Sequence, residues 1–304
     1  MKYLTTSQIA EKWGLTERRI RMMCQEGKIE GAFLVGKTWN IPENAEKPQR
    51  VNAKLVSTKE KWKEILSLKE ELDHKRPLTE AELKRLNEEF MVEYTYNSNA
   101  IEGSTLTLKE TSLVLQGITI NKKPLKEHLE AIGHKDAFYY VCDLVREKTP
   151  LTESIIKQIH SLILVAEPQD RGVYRKLPVR ILGANHTPPQ PYLVPKQMED
   201  LMINYKKWIK TKNIVEVVSL LHLNFEFIHP FIDGNGRTGR LLVNLVLMQN
   251  GFPPIDIKFS DRQRYYDCFE DFAISNKPTA MIDLISDLLI QRLKEYLNIL
   301  SSKS

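Results

Sequence analysis

At 304 residues the chain is long enough for one large or two unequal domains, each able to bury a core. Hydrophobic residues at 42% and charged residues at 27% exclude disordered, collagen-like and membrane-spanning classes, and a net charge of +5 permits a phosphate-bearing partner without requiring one. Cys24, Cys142 and Cys268 lack C-x-x-C spacing and leave one over in any pairing, the N-terminus has no signal-like apolar run, and no stretch reaches the ~20 apolar residues of a membrane span, so we expect reduced thiols in a cytoplasmic protein with no membrane partner.

The first fifty residues form a unit of their own. Ser7 to Trp13 reads as a short helix, Gly14 as a turn, and Thr16 as the N-cap of a second helix running through Cys24. Ile29 to Ile41 alternates apolar residues around Gly36-Lys37, the pattern of a β-hairpin. Arg18, Arg19 and Arg21 lie early on the second helix, where a recognition helix presents side chains to base edges and phosphates. The arrangement resembles winged helix-turn-helix domains of the excisionase and MerR type, which implies DNA as a partner of residues 1–48. Polar Lys47-Pro48-Gln49-Arg50 is the expected linker to a second domain over 49–304.

Beyond the linker the fold class is mainly α. Ser57 with Glu60, and Thr79 with Glu82, are capping-box patterns; the first helix carries Trp62, Ile65, Leu66 and Leu72 and closes at Arg76-Pro77. The second passes through Leu83, Leu86 and Phe90 toward Glu102-Gly103, where glycine suits a C-cap. Further helices are expected over 126–147, 152–164, 194–208 and 214–227. One hairpin is expected within Leu177 to Leu193, where two apolar runs flank a turn-rich stretch.

The chemistry concentrates in His229-Pro-Phe-Ile-Asp-Gly-Asn-Gly-Arg-Thr-Gly-Arg240. An apolar helix over Ile214 to Phe227 precedes it and another, Arg237 to Asn250, follows, so the expected arrangement is helix, tight loop, helix. A loop of this kind aims unpaired N–H groups outward at a helix N-terminus and forms an anion site. Arg237 and Arg240 oppose the helix dipole there, a cost explained if a polyphosphate takes charge-assisted bonds from both guanidinium groups. His229 can accept a proton near neutral pH, and Asp233 offers the hard oxygen that Mg²⁺ prefers.

Other readings of the same residues fare worse. Gly234, Gly236 and Gly239, with Asp256 downstream, satisfy a dinucleotide fingerprint, but that motif must follow a strand and here follows a helix broken at His-Pro. The loop lacks the Lys-Ser/Thr ending of a P-loop. Zinc on His222, His229 and Asp233 would want another His or Cys, and His222 suits a hydrogen-bonded core position.

His229 to Arg240 matches H-P-F-x-[D/E]-G-N-G-R-x-x-R at every specified position, and by it the chain resembles the Fic family over most of residues 90–275. The resemblance implies a Fic-type helical bundle with a β-hairpin flap, and transfer of AMP from ATP to a Ser, Thr or Tyr hydroxyl of a protein target or of the chain itself. It implies His229 as base, Asp233 as ligand for Mg²⁺ or Mn²⁺, and Gly234, Asn235 and Gly236 as the hole for the α-phosphate. Arg237 and Arg240 would grip the phosphates, while Ile181, Leu182 and Gly183, with Thr187-Pro-Pro, would form the target-binding flap.

Ser98-Asn-Ala-Ile-Glu102-Gly103 resembles the family's inhibitory motif, [S/T]-x-x-x-E-[G/N], on a helix near 90–103. Glu102 is then expected to pair with Arg240, with Ser98 one turn away on the same face and Gly103 ending the helix. A de-AMPylating hydrolase that uses Glu102 to orient water, and a nucleotide-sensing transcription regulator, remain open alternatives, as does a homodimer.

Overall fold

The computed structural model describes residues 2–25, 27–36, 38–47, 57–75, 77, 79–181 and 186–301. The chain divides into one unit over Met1–Leu55 and another over Val56–Ile181 and His186–Ser304. The expected boundary at 48/49 and the linker residues 48–50 lie outside the described residues.

In the N-terminal unit the order is β1 (Tyr3–Leu4), α1 (Thr6–Trp13), α2 (Glu17–Gln25), β2 (Phe33–Val35) and β3 (Thr38–Pro42). Thr5 and Gln8 form a reciprocal capping box at the start of α1, and Gly14 ends that helix in the left-handed conformation. Thr16 caps α2 as expected, its hydroxyl accepting the Arg19 N–H at 3.2 Å. The β2–β3 hairpin forms with Leu34 opposite Trp39, and β1, a strand the sequence pattern does not signal, pairs with β3 on its other side. Ile9, Ile20 and Ile41 are the fully buried centre of this small core.

The larger unit is helical: α3 (Thr58–His74), α4 (Glu80–Ile101), α5 (Leu108–Leu115), α6 (Leu125–Arg146), α7 (Glu153–Ile163), α8 (Val194–Thr211), α9 (Ile214–Ile228), α10 (Asn235–Gln249), α11 (Arg262–Ser275) and α12 (Thr279–Ser301). Both expected capping boxes form, at Ser57–Glu60 and Thr79–Glu82. The centre is the helix pair α9–α10, with α8 and α12 packed on α9 and α6 and α7 on α10. Val217, Leu221, Leu223 and Phe225 of α9 and Leu241, Leu242, Leu245 and Val246 of α10 are fully buried. At about 1.5–3 kcal/mol per buried large apolar side chain, this pair is the rigid frame on which the intervening loop is mounted. No described helix is long and apolar enough to cross a membrane.

The hairpin expected over Leu177 to Leu193 is not formed among the described residues, which carry no strand there and only a short 3₁₀ turn at Pro191–Leu193. Pro178, Pro188, Pro189 and Pro191 each lack the N–H that a ladder needs, which leaves the described stretches 177–181 and 186–193 short of ladder donors. Of the flap residues, Ile181 is half-buried, whereas Leu182 and Gly183 lie outside the described residues.

Candidate active site

The site is built on the two ends of the buried helix pair. His229 closes α9 in the left-handed conformation, φ 48° and ψ 61°, with its N–H donating to Phe225 O at 2.9 Å. A non-glycine residue there is strained and turns the chain sharply enough for Pro230 to leave the helix axis. Asn235 then fastens the loop to itself: its amide accepts from Phe231 N–H at 2.9 Å and donates to Phe231 O at 3.0 Å. Phe231, fully buried, stacks on His160 of α7 at 3.6 Å and 5°. Gly172 N–H donates to His160 Nδ1, so the other ring nitrogen carries the proton and donates to Asp233 O, both at 2.9 Å.

His229 is oriented by the same logic. Its Nδ1 lies 3.3 Å from Glu226 O, which can only accept, and this leaves Nε2 as the proton-accepting nitrogen. Burial pushes the imidazole down to about 4, against the upward pull of that backbone contact, so at neutral pH it is an unprotonated ring. Its side chain is 20% exposed, and those of Asp233 and Glu102 are 49% and 38% exposed, so the site opens to solvent.

Gly234 begins α10 in the left-handed conformation, φ 76°, with no side-chain cap. The first intrahelical bond of α10 runs from Thr238 N–H to Gly234 O, so the N–H groups of Asn235, Gly236 and Arg237 form the helix's polar end. A carboxylate already sits there: a Cβ at Gly236 would stand 2.2 Å from Glu102 Oε1. Glu102 is the C-cap of α4, and Gly103 follows at φ 100°. Its Oε1 accepts from Arg240 Nη2 at 2.8 Å, while Arg240 also donates to Ser98 Oγ at 3.0 Å, Ser98 O at 2.9 Å and Tyr265 OH at 3.3 Å. The ends of α4 and α10 are thereby joined through one buried guanidinium.

Helix α10 starts at Asn235 rather than Arg237, which puts Arg240 in the second turn. Arg237 is buried and turns toward α6, with Nη1 3.0 Å from Glu130 and Nη2 3.6 Å from Asp233, so in this conformation it braces the loop rather than the anion position. Asp233 Oδ1 accepts from Gly234 N–H at 2.6 Å, and Oδ2 faces Lys126 at 3.8 Å. His222 is a core histidine as expected, its Nε2 bonded to Tyr265 OH at 2.7 Å.

Several working residues escaped the sequence reading. Arg175 donates to His229 O at 2.7 Å, Pro189 O at 2.6 Å and Leu177 O at 3.2 Å, tying Leu177 and Pro189 to the start of the His229 turn. His186 stacks on Phe227 at 4.0 Å and bonds its carbonyl. Neither has a local pattern that sets it apart. Glu226 does: it is a carboxyl within an otherwise apolar turn of a buried helix.

A family model described as Fic/DOC family matches residues 150–247, which hold α7 through α10. A protein adenylyltransferase Fic of Nematostella vectensis is 36% identical over 212 residues, covering 65% of this chain and 48% of the relative. The chain therefore spans about half the length of such relatives. A Fic-domain-containing signalling protein from Bacteroides thetaiotaomicron superposes with a TM-score of 0.70 at 30% identity, covering 81% of this chain and 97% of that one. Fic-1 from C. elegans superposes with a TM-score of 0.71 at 27% identity, covering 81% and 74%. With the motif, the fold and near-complete coverage of a solved relative in agreement, the chain belongs to the Fic/DOC family.

Proposed function

We propose that the protein transfers AMP from ATP to a protein hydroxyl and that Glu102 restrains the reaction. The observation that carries this reading is the Glu102 carboxylate lying against Gly236 and Arg240 at the polar end of α10, beside an imidazole whose Nε2 accepts protons. A helix end that holds a carboxylate can hold a phosphate in its place.

In the reaction, the target hydroxyl gives its proton to His229 Nε2 and its oxygen attacks the α-phosphorus. The new P–O bond forms as the bond to pyrophosphate breaks, and N–H groups of the α10 turn meet the charge on the α-phosphate. Arg240 would meet the γ-phosphate once Glu102 has left it. Asp233 suits Mg²⁺: a half-exposed single carboxylate fits an ion that takes the rest of its shell from phosphates and water, and no described group of three acidic, His or Cys side chains forms a protein-only cage. A bound Mg²⁺ would neutralise phosphate charge. These steps rest on positioning and electrostatics rather than on covalent catalysis.

The test is label transfer from ATP marked at the α-phosphate. Glu102→Gly is expected to raise incorporation at least about tenfold, equivalent to about 1.4 kcal/mol of barrier. Glu102→Gly/His229→Ala is expected to lose it while retaining nucleotide binding. Unchanged incorporation in the first variant rejects the restraint, and persistent incorporation in the second rejects His229 as base.

Glu102 also supports a second reading, hydrolysis of an AMP–protein bond, because a partly exposed carboxylate beside the reacting groups can orient water. Release of AMP from a modified target by wild type but not by Glu102→Gly would mark that activity. For the N-terminal unit we read DNA binding, supported by exposed Arg18 and Arg21 and half-buried Arg19 on α2 beside a β-hairpin, with Arg21 also paired to Glu17 at 2.7 Å. Salt-dependent binding of duplex DNA that Arg18→Ala/Arg19→Ala weakens is the expected result; binding unchanged in that variant rejects α2 as the contact.

A further inference from the structure

Glu226 lies near the end of α9, one turn before His229, with its side chain only 12% exposed. Its Oε2 stands 3.7 Å from His229 Nδ1, and its Oε1 is buried with no hydrogen-bond partner. On its other side lies a second unpartnered buried atom, His222 Nδ1. A Cβ at Gly239 would meet that nitrogen at 2.6 Å and Glu226 Oε1 at 2.7 Å, so the absence of a side chain at Gly239 makes room for both groups. An ionisable side chain left half-satisfied in a core is costly, and a purely structural role would be served better by an apolar residue.

We propose that Glu226 is a positioning residue for His229, its carboxyl backing the Nδ1–H so that Nε2 faces the target hydroxyl and the imidazolium formed in the reaction is stabilised. The inference rests on the AMP-transfer reading above. No covalent step is added: the proton taken from the target stays on Nε2, and Glu226 strengthens a hydrogen bond at Nδ1.

The surroundings link this support to the restraint. The titratable and charged groups around Glu226 are His222 and His229 on its own helix, Arg240 on α10, Tyr265 on α11, Glu102 at the end of α4, and Arg175 beside His229. A run of hydrogen bonds passes from Glu102 through Arg240 and Tyr265 OH to His222, whose Nδ1 and the Glu226 Oε1 both face Gly239. Burial raises the Glu226 carboxyl to about 8, and the negative charge of Glu102 adds to that rise while Arg240 opposes it. Glu226 is therefore protonated at neutral pH chiefly through burial, and Glu102 in its engaged position adds to that, favouring the weaker supporting form. Removing Glu102 lets Glu226 ionise at lower pH and makes His229 the better base.

The experiment compares Glu102→Gly with Glu102→Gly/Glu226→Gln across pH 5.5–9. Glutamine keeps the shape, removes the titration and is expected to fold at least as well as the parent. We expect kcat at pH 8 to fall on the order of tenfold to a hundredfold with KM for ATP unchanged. The limb of the pH profile that reports Glu226 should vanish, and in the absence of the Gln change it should lie at lower pH in Glu102→Gly than in wild type. An unchanged kcat and profile, or a rise in KM with kcat preserved, overturns the proposal.

A second measurement separates this from failure of the activity itself. With ¹⁵N-labelled histidine in the unliganded full chain at pH 9, where the Glu226 carboxyl has ionised, Glu226→Gln should reduce the Nδ1–H tautomer of His229. If Glu102→Gly transfers no AMP, the activity reading fails and the NMR arm still decides the role of Glu226. A His229 tautomer at pH 9 identical in wild type and Glu226→Gln overturns it.

Discussion

The turn His229 to Arg240 and the cover bonded to it, residues 175–181 and 186–193, are neighbours held by different means. The turn is mounted between two helices whose inner residues are fully buried, so hydrophobic packing dictates where each polar side chain sits. The cover has no described strand and is held by one buried arginine bonded to four carbonyls and by one stacked histidine. Burial is distributed over many residues and tolerant of single changes, whereas a polar clamp concentrates its contribution in one residue.

The largest expected effect tests how far the polar parts of the turn depend on burial. Burial lowers His160 and His229 to about 4 and His222 to about 3. Each is neutral in the folded chain and protonates more readily unfolded, so stability is lost as pH falls from 6.5 through 4. At about 1.4 kcal/mol per unit of depression, the combined loss amounts to several kcal/mol. Urea midpoints at pH 7 and 4.5 would measure it; equal midpoints would mean the rings are hydrated. Glu226 has the opposite sign: raised to about 8, it costs stability as pH climbs above 4.5, and Glu226→Gln should remove that alkaline decline.

Next in size is Arg175→Ala, which leaves the carbonyls of His229, Pro189 and Leu177 without their donor. Loss of about 3 kcal/mol is expected, together with faster proteolysis within 177–193. Proteolysis without loss of global stability would sharpen the contrast, showing that the clamp serves the cover alone. Gly239→Ala places a methyl against His222 and Glu226 and should cost about 1–3 kcal/mol by thermal denaturation, the range for overpacking a core. The smallest effect, about 1 kcal/mol, is expected for His186→Ala, which removes one stack and one hydrogen bond. A loss as large as that of Arg175→Ala would break the comparison, since the cover would then be held by two anchors of equal weight.

The helices were legible because their signals are local: capping boxes at Ser57 and Thr79, an apolar helix before His229, and glycine at the left-handed positions 14, 103 and 234. The expected hairpin is not formed among the described residues, because alternation of apolar residues says nothing about missing donors and four prolines lack them. Arg237 was legible as an unusual charge at a helix start but not as a partner of Glu130, a contact between α10 and α6. The Ser98, Glu102 and Arg240 grouping was expected only through the family resemblance, since the structure joins them across 138 positions of chain between Glu102 and Arg240.

By itself the sequence determined the helical class, the helix–loop–helix that carries His229, Asp233 and Arg240, and the chemistry those residue types can perform, because all three follow from spacing along one stretch of chain. Tertiary structure alone decided which nitrogen of His229 faces outward, that Glu226 lies behind it, and that a carboxylate from α4 rests on Gly236. Those depend on burial and on distances between segments remote in sequence, and no local pattern records either.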